Sequence, residues 1–220
     1  MMSLTITIII IIITCLISFT ALTNEKVFND LIFYPPAVAY QRQYYRFFTC
    51  GFIHADYVHL GFNMWSLYIF GQTLESSLMG EFGSVNGKLV YLLLYLSSLF
   101  FCLLPTYWKN RDNASYRSLG ASGAVSAIVF ATFFLHPASM KVRFFFMPEK
   151  WGIPAFIFGF LYLAISSYLD KRGGGNINHS AHIWGAIYGL LFLAVAGIFA
   201  NTNLAQHFVF EIQYWLRNTF

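Results

Sequence analysis

Three small groups of polar residues in an otherwise apolar chain have the types and spacing to do chemistry. His59 and Asn63 stand four apart, so they share one helix face. Gly120-Ala121-Ser122-Gly123 sets a hydroxyl among small residues. Ala181-His182 is followed by Gly185 and Gly189, a spacing of i, i+3, i+7 that puts the imidazole and both glycines on one face. Those glycines admit a close neighbouring backbone on the side that bears the histidine. If the segments of Ser122 and His182 pack there, hydroxyl and imidazole come within hydrogen-bond reach, which is what an activated nucleophile needs. Ser122 stands near the start of its segment, where helix amides point outward. Such donors, with an amide such as that of Asn63, suit the oxyanion of an acyl-transfer reaction.

Each group alone has a plainer reading. Gly-x-Ser-Gly is common where helices pack closely, and Gly185-x-x-x-Gly189 is the ordinary small-xxx-small packing motif. His182 alone reads as a core histidine bonded to a backbone carbonyl. His59 and Asn63 read equally well as hydrogen-bonding glue between helices. The order and mutual fit of the three groups are more informative than any one of them.

The elements that must position these residues follow from composition. The chain has 220 residues, 58% hydrophobic, 20% aromatic and 10% charged, with a mean hydropathy of +0.60. A soluble domain carries about 25% charged residues, so a water-soluble enzyme is excluded; the aromatic content excludes a disordered chain. Polar groups at membrane depth are costly and functional by default, which is why the few inside apolar segments stand out. The expectation is an all-α polytopic membrane protein, one domain over residues 1–220 with six membrane helices near 4–22, 58–77, 88–107, 119–136, 153–169 and 178–200. The three polar groups fall on the second, fourth and sixth. The first segment resembles a signal peptide in composition, but no basic residue precedes it and its apolar run is long, so it reads as a retained helix. Residues 24–56, rich in tyrosine and phenylalanine and holding Pro35-Pro36, read as an interfacial loop. The tail from Gln206 reads as a mildly amphipathic interfacial segment. No internal repeat is present, which argues against a secondary transporter.

Net charge is +4 without a basic cluster, so no nucleic-acid partner is expected. Cys15, Cys50 and Cys102 lie in or beside apolar segments and read as small buried hydrophobes. His54, His59, His179 and His182 have no carboxylate or cysteine to complete a metal site. Arg46 and Glu75 read as loop or helix-end anchors, His54 as a loop-positioning group, His136 as a helix-end residue and His179 as solvated.

The ordered set His59-x-x-x-Asn63, Gly120-x-Ser122-Gly123 and Ala181-His182-x-x-Gly185-x-x-x-Gly189 resembles that of the rhomboid intramembrane serine proteases, over about residues 43–193. Tyr45-Arg46-Phe47-Phe48-Thr49 with His54, and Gly71-x-x-x-Glu75-x-x-x-x-Gly80, are similar too. The resemblance implies a six-helix bundle with Ser122 as nucleophile, His182 as general base and no acidic third member. It implies Asn63 and His59 as oxyanion stabilisers, with Gly120, Gly123, Gly185 and Gly189 in support. It further implies no metal or other cofactor, transmembrane proteins as substrates, the lipid bilayer as partner, and a multi-pass location in a bacterial-type cell (inner) membrane. The alternative is a proteolytically inactive scaffold that binds membrane proteins. Nothing in the sequence specifies an oligomeric state. H-E-x-x-H and G-x-G-D, the marks of the metallo and aspartyl intramembrane proteases, do not occur.

Two positions depart from the family pattern. Tyr45 stands where many members have Trp before the arginine, and Ser126 stands where many have an aromatic that packs on the catalytic imidazole. Residues 173–175, all glycine, suit a mobile cap or a plain connector. The family orientation leaves five basic residues (Lys88, Lys141, Arg143, Lys150, Arg217) on the cytoplasmic side and eight opposite, against the positive-inside rule. The motif set is the more specific of the two, so the family orientation is kept.

Overall fold

The computed structural model describes residues 4–143, 148, 151–172 and 178–220. Six longer helices carry the apolar segments: α1 (Ile6–Thr23), α5 (Tyr57–Phe82), α6 (Ser84–Phe101), α8 (Ser122–Leu135), α9 (Ala155–Arg172) and α10 (His179–Phe199). Shorter ones lie between and after them: α2 (Glu25–Leu31), α3 (Pro35–Gln41), α4 (Arg46–Thr49), α7 (Leu104–Asn110) and α11 (Leu204–Thr219). A two-stranded antiparallel hairpin, β1 (Lys141–Val142) against β2 (Ile153–Pro154), joins α8 to α9. The protein is an all-α polytopic membrane fold. By length and composition, Ile6–Thr23, Ser84–Asn110 and His179–Phe199 suffice to cross a membrane. In α5, the polar residues His59, Asn63, Gln72 and Glu75 lower the apolarity of a helix that is amply long.

The region 24–56 is not a plain loop. The Asn24 side chain accepts from the Val27 amide and starts α2, and a proline in the first turn starts α3. The long apolar run 88–107 likewise breaks at Cys102-Leu103, because Pro105 opens a new helix, α7.

Helix α8 is the centre of the bundle. All of its residues except Ser122 and Val129 are buried, as expected of a helix apolar on every side. Its 14 residues reach only about 21 Å, less than the roughly 30 Å of a bilayer's hydrocarbon. It therefore needs the longer helices around it. Helices α5 and α6 form an antiparallel pair closed at Gly83, whose φ of +82° suits glycine. The start of α1 is fixed inside the bundle by Glu75, which is 1% exposed. Its carboxylate accepts from the amides of Ile6 and Thr7 and from the Thr7 hydroxyl at 2.8–2.9 Å. It is the helix anchor the sequence suggested.

Candidate active site

Ser122 is the first residue of α8, and His182 lies in the first turn of α10. The two helices meet through small residues. A Cβ on Gly185 would collide with the carbonyl oxygen of Gly123, and one on Gly189 with that of Ala127. Glycine at these positions lets the two backbones touch, and the serine and histidine ride on that contact. His182 Nε2 lies 2.6 Å from Ser122 Oγ. Both residues are half-buried.

The chain before Ser122 is held at successive points by the region between α1 and α5. Phe33 and Ser118 exchange backbone hydrogen bonds of 3.0 and 3.1 Å, the Gly120 amide donates to the Cys50 carbonyl at 2.9 Å, and the Ala121 amide donates to His54 Nε2 at 3.4 Å. Gly120 has a φ of +107°, which disfavours any side chain. The His59 ring lies where a Cβ would be, with its Cε1 and Nε2 2.8 and 3.0 Å from that point. Helix α8 then begins without a side-chain cap, so its first amides keep no intrahelical partner.

Asn63 is buried, and its side-chain amide donates to the His59 carbonyl at 3.0 Å, which leaves a second N–H. Among the described residues, neither Asn63 nor His59 hydrogen-bonds Ser122; His59 reaches the nucleophile's neighbourhood through Gly120. A cavity of about 20 Å³ lies beside Ser122, lined among others by Cys50, Cys102, Ser118, Gly123 and Asn178. It has room for about one water molecule. Cys50 and Cys102 are buried free thiols, and Cys15 is a free thiol partly exposed.

The remaining sequence candidates fall out as follows. Arg46, 7% exposed, donates to the carbonyls of Asn29 and Ile32 at 2.9 and 2.6 Å. It anchors the connection between α1 and α5 rather than touching the dyad. His136 caps the far end of α8 and bonds Ser77 at 2.8 Å. His179, expected to be solvated, is the first residue of α10 and lies beside the His182 ring; its Nδ1 is enclosed and, among the described residues, has no hydrogen-bond partner. The glycine run 173–175 lies outside the described residues. Ser126, one turn beyond Ser122, faces the Tyr162 hydroxyl of α9 at 3.4 Å, so an aromatic reaches this position from a different helix.

Three positioning groups escaped the sequence reading. Asn178 caps α10: its Oδ1 accepts from the Ala181 amide and the Thr106 hydroxyl, and its amide donates to Ser118 Oγ, at 3.0–3.2 Å. Its type at a helix start was a usable signal. The Cys102 sulfur fills the space over Gly123, 2.6 Å from where a Cβ would be, and Tyr162 meets Ser126. Those two pairings join distant segments, and no local spacing reveals them.

The chain is similar to known proteins over most of its length. The family model described as Rhomboid domain matches residues 41–199. The chain is 31% identical over 150 residues to "RHOMBOID-like protein 12, mitochondrial" of Arabidopsis thaliana, covering 63% of this chain and 42% of that one. It is 31% identical over 173 residues to "Rhomboid-like protein 11, chloroplastic" of the same plant, covering 74% and 56%. It is 30% identical over 145 residues to "Rhomboid protein 1, mitochondrial" of Saccharomyces cerevisiae, covering 64% and 38%. The chain thus spans between 38% and 56% of these relatives' length. With the matched region taking in both Ser122 and His182, the chain is an integral membrane protein that belongs to the rhomboid family.

Proposed function

We propose that the protein is an intramembrane serine endopeptidase that cleaves transmembrane segments through a Ser122–His182 dyad. The observation that carries the reading is the 2.6 Å contact between His182 Nε2 and Ser122 Oγ, made on two helices locked together by glycine. In the proposed reaction His182 takes the Ser122 proton as the hydroxyl attacks the scissile carbonyl. The Ser122 amide, with Asn63 and His59, stabilises the tetrahedral oxyanion. His182 then protonates the leaving amine, and the acyl-enzyme forms. Water, for which the cavity beside Ser122 has room, resolves the acyl-enzyme. A helical substrate must unwind locally to present its carbonyl, so segments with helix-weakening residues are the expected substrates.

The inactive-scaffold alternative makes a different prediction for one experiment. Wild type, Ser122→Ala and His182→Ala in detergent are treated with a fluorophosphonate probe, and a transmembrane reporter is supplied in parallel. The protease reading expects labelling and cleavage by wild type and neither by the variants. Equal labelling of all three sinks the dyad. Labelling of wild type without cleavage of any reporter favours the scaffold.

In the family orientation the dyad end of the bundle faces away from the N-terminal side. Two of the eight basic residues counted against that orientation are engaged within the fold: Arg46 bonds carbonyls, and Arg117 stacks on Tyr34 at 3.6 Å. For the membrane itself, the bacterial-type inner membrane expected from the sequence stands beside relatives whose names place them in mitochondria or chloroplasts. Fractionation of cells that express the tagged chain separates these.

A further inference from the structure

His54 is fully buried in the connection between α1 and α5, and three contacts determine the state of its ring. Ser18 Oγ lies 2.8 Å from the Phe52 carbonyl and 2.9 Å from His54 Nδ1. A hydroxyl has one hydrogen, and the Phe52 oxygen can only accept it. The contact to His54 is then made by an Nδ1–H donating to Ser18 Oγ. On the other side of the ring, the Ala121 amide points its N–H at Nε2, 3.4 Å away. A hydrogen on Nε2 would oppose that amide donor to donor. Only the neutral ring with its proton on Nδ1 satisfies all three contacts.

The far side of that relay is the residue before the nucleophile. The Ala121 carbonyl accepts from the Val125 amide at 2.9 Å and opens α8. Its ψ of −6° sets the direction of the next amide, that of Ser122. His54 also lies edge-on to His59, with ring centroids 5.0 Å apart at 74°, and His59 in turn covers Gly120. One buried ring therefore touches both supports of the oxyanion site, and Ser18 ties it to α1.

We infer that His54 is a positioning residue that, as the Nδ1–H tautomer anchored on Ser18, aims the Ser122 amide and steadies His59 for oxyanion stabilisation. This rests on the Ser122–His182 reading above. It gives α1, which carries no dyad residue, a part in the reaction. The bond to Ala121 is long, so its effect is on the aim of the next amide rather than on folding.

The test compares His54→Gln with His54→Asn in the full chain. The glutamine amide oxygen reaches the Nε2 position and accepts from Ala121. The asparagine amide reaches only the Nδ1 position, so it keeps Ser18 and loses Ala121. His54→Gln is expected to hold kcat within about threefold of wild type, and His54→Asn to lower kcat about tenfold with KM unchanged and fluorophosphonate labelling slowed in step. The Tm values of the two variants should be close. Solid-state ¹⁵N NMR of wild type should show an unprotonated Nε2 and a protonated Nδ1 on this ring. Wild-type kcat in His54→Asn, equal losses in both variants, or a protonated Nε2 overturns the assignment. Labelling of Ser122→Ala equal to wild type instead removes the protease reading itself, and with it the catalytic consequence of His54.

Discussion

Gly185 faces Gly123 across the junction of α10 and α8 so closely that a Cβ on Gly185 would collide with the Gly123 carbonyl oxygen and force the helices apart. The neighbour here is backbone, which cannot turn aside as a side chain would. Gly185→Ala should therefore move His182 away from Ser122. Overpacking of this kind costs about 1–3 kcal/mol, and the greater effect should be on chemistry, because a 1 Å misplacement can cost about 100-fold in rate. Gly61→Ala is the control, since nothing lies within 4 Å of its Cβ position. Reporter cleavage per folded molecule should fall about 100-fold in Gly185→Ala and stay near wild type in Gly61→Ala. Full activity in Gly185→Ala would show that the dyad does not depend on this junction.

Gly120 answers to two separate demands. Its φ of +107° lies where side chains are rarely found, and the His59 ring occupies the Cβ position. Gly120→Ala must therefore change the backbone just before Ser122 or displace His59. Either route disturbs oxyanion stabilisation rather than substrate binding. The expected outcome is a kcat lower by about 10²-fold with KM little changed. A rise in KM at constant kcat would place Gly120 in substrate binding instead.

Much of this arrangement was legible in the sequence, for a physical reason. Helical periodicity alone puts His182, Gly185 and Gly189 on one face, and glycine has few other reasons to recur at that spacing in an apolar helix. The positions of Glu75 and Arg46 as anchors were also readable, because a buried charge in such a chain must find several partners. What stayed hidden depends on chain geometry between remote segments. Nothing local to Cys102 says that its sulfur covers Gly123, and nothing local to Tyr162 says that it meets Ser126. The solvated reading of His179 failed because proximity to a helix start does not fix which side of the ring faces inward.

Asn178 holds the base-bearing helix in place by three bonds, to Ala181, Thr106 and Ser118. Loss of a helix N-cap costs about 1 kcal/mol. Asn178→Ala should therefore lower the Tm by a few degrees. Because Ser118 lies on the strand-like run that leads to Ser122, the variant should also lower kcat by more than its fall in folded fraction. Asn178→Asp keeps the cap and the Thr106 contact but has no donor for Ser118. It should recover the Tm and only part of kcat. Complete recovery of both by aspartate would show that the N–H which Asn178 gives to Ser118 has no role in catalysis.

His54 also contributes to the acid sensitivity of the fold. An unfolded histidine titrates near 6.5, whereas burial, aided by neighbouring His59 and opposed by Asp56, holds His54 down to about 3. The unfolded chain thus binds a proton that the folded chain refuses. Stability from this group is full above about 6.5 and falls as the pH is lowered toward about 3, by at most about 1.4 kcal/mol for each unit. Glutamine at this position has nothing to titrate. Between neutral pH and about pH 4, the Tm of wild type should fall more steeply than that of His54→Gln, with the other histidines contributing equally to both. Parallel curves across the range would mean that the folded protein lets His54 take up its proton as readily as the unfolded chain does, which would contradict a ring held neutral by burial and by its contacts with Ser18 and Ala121.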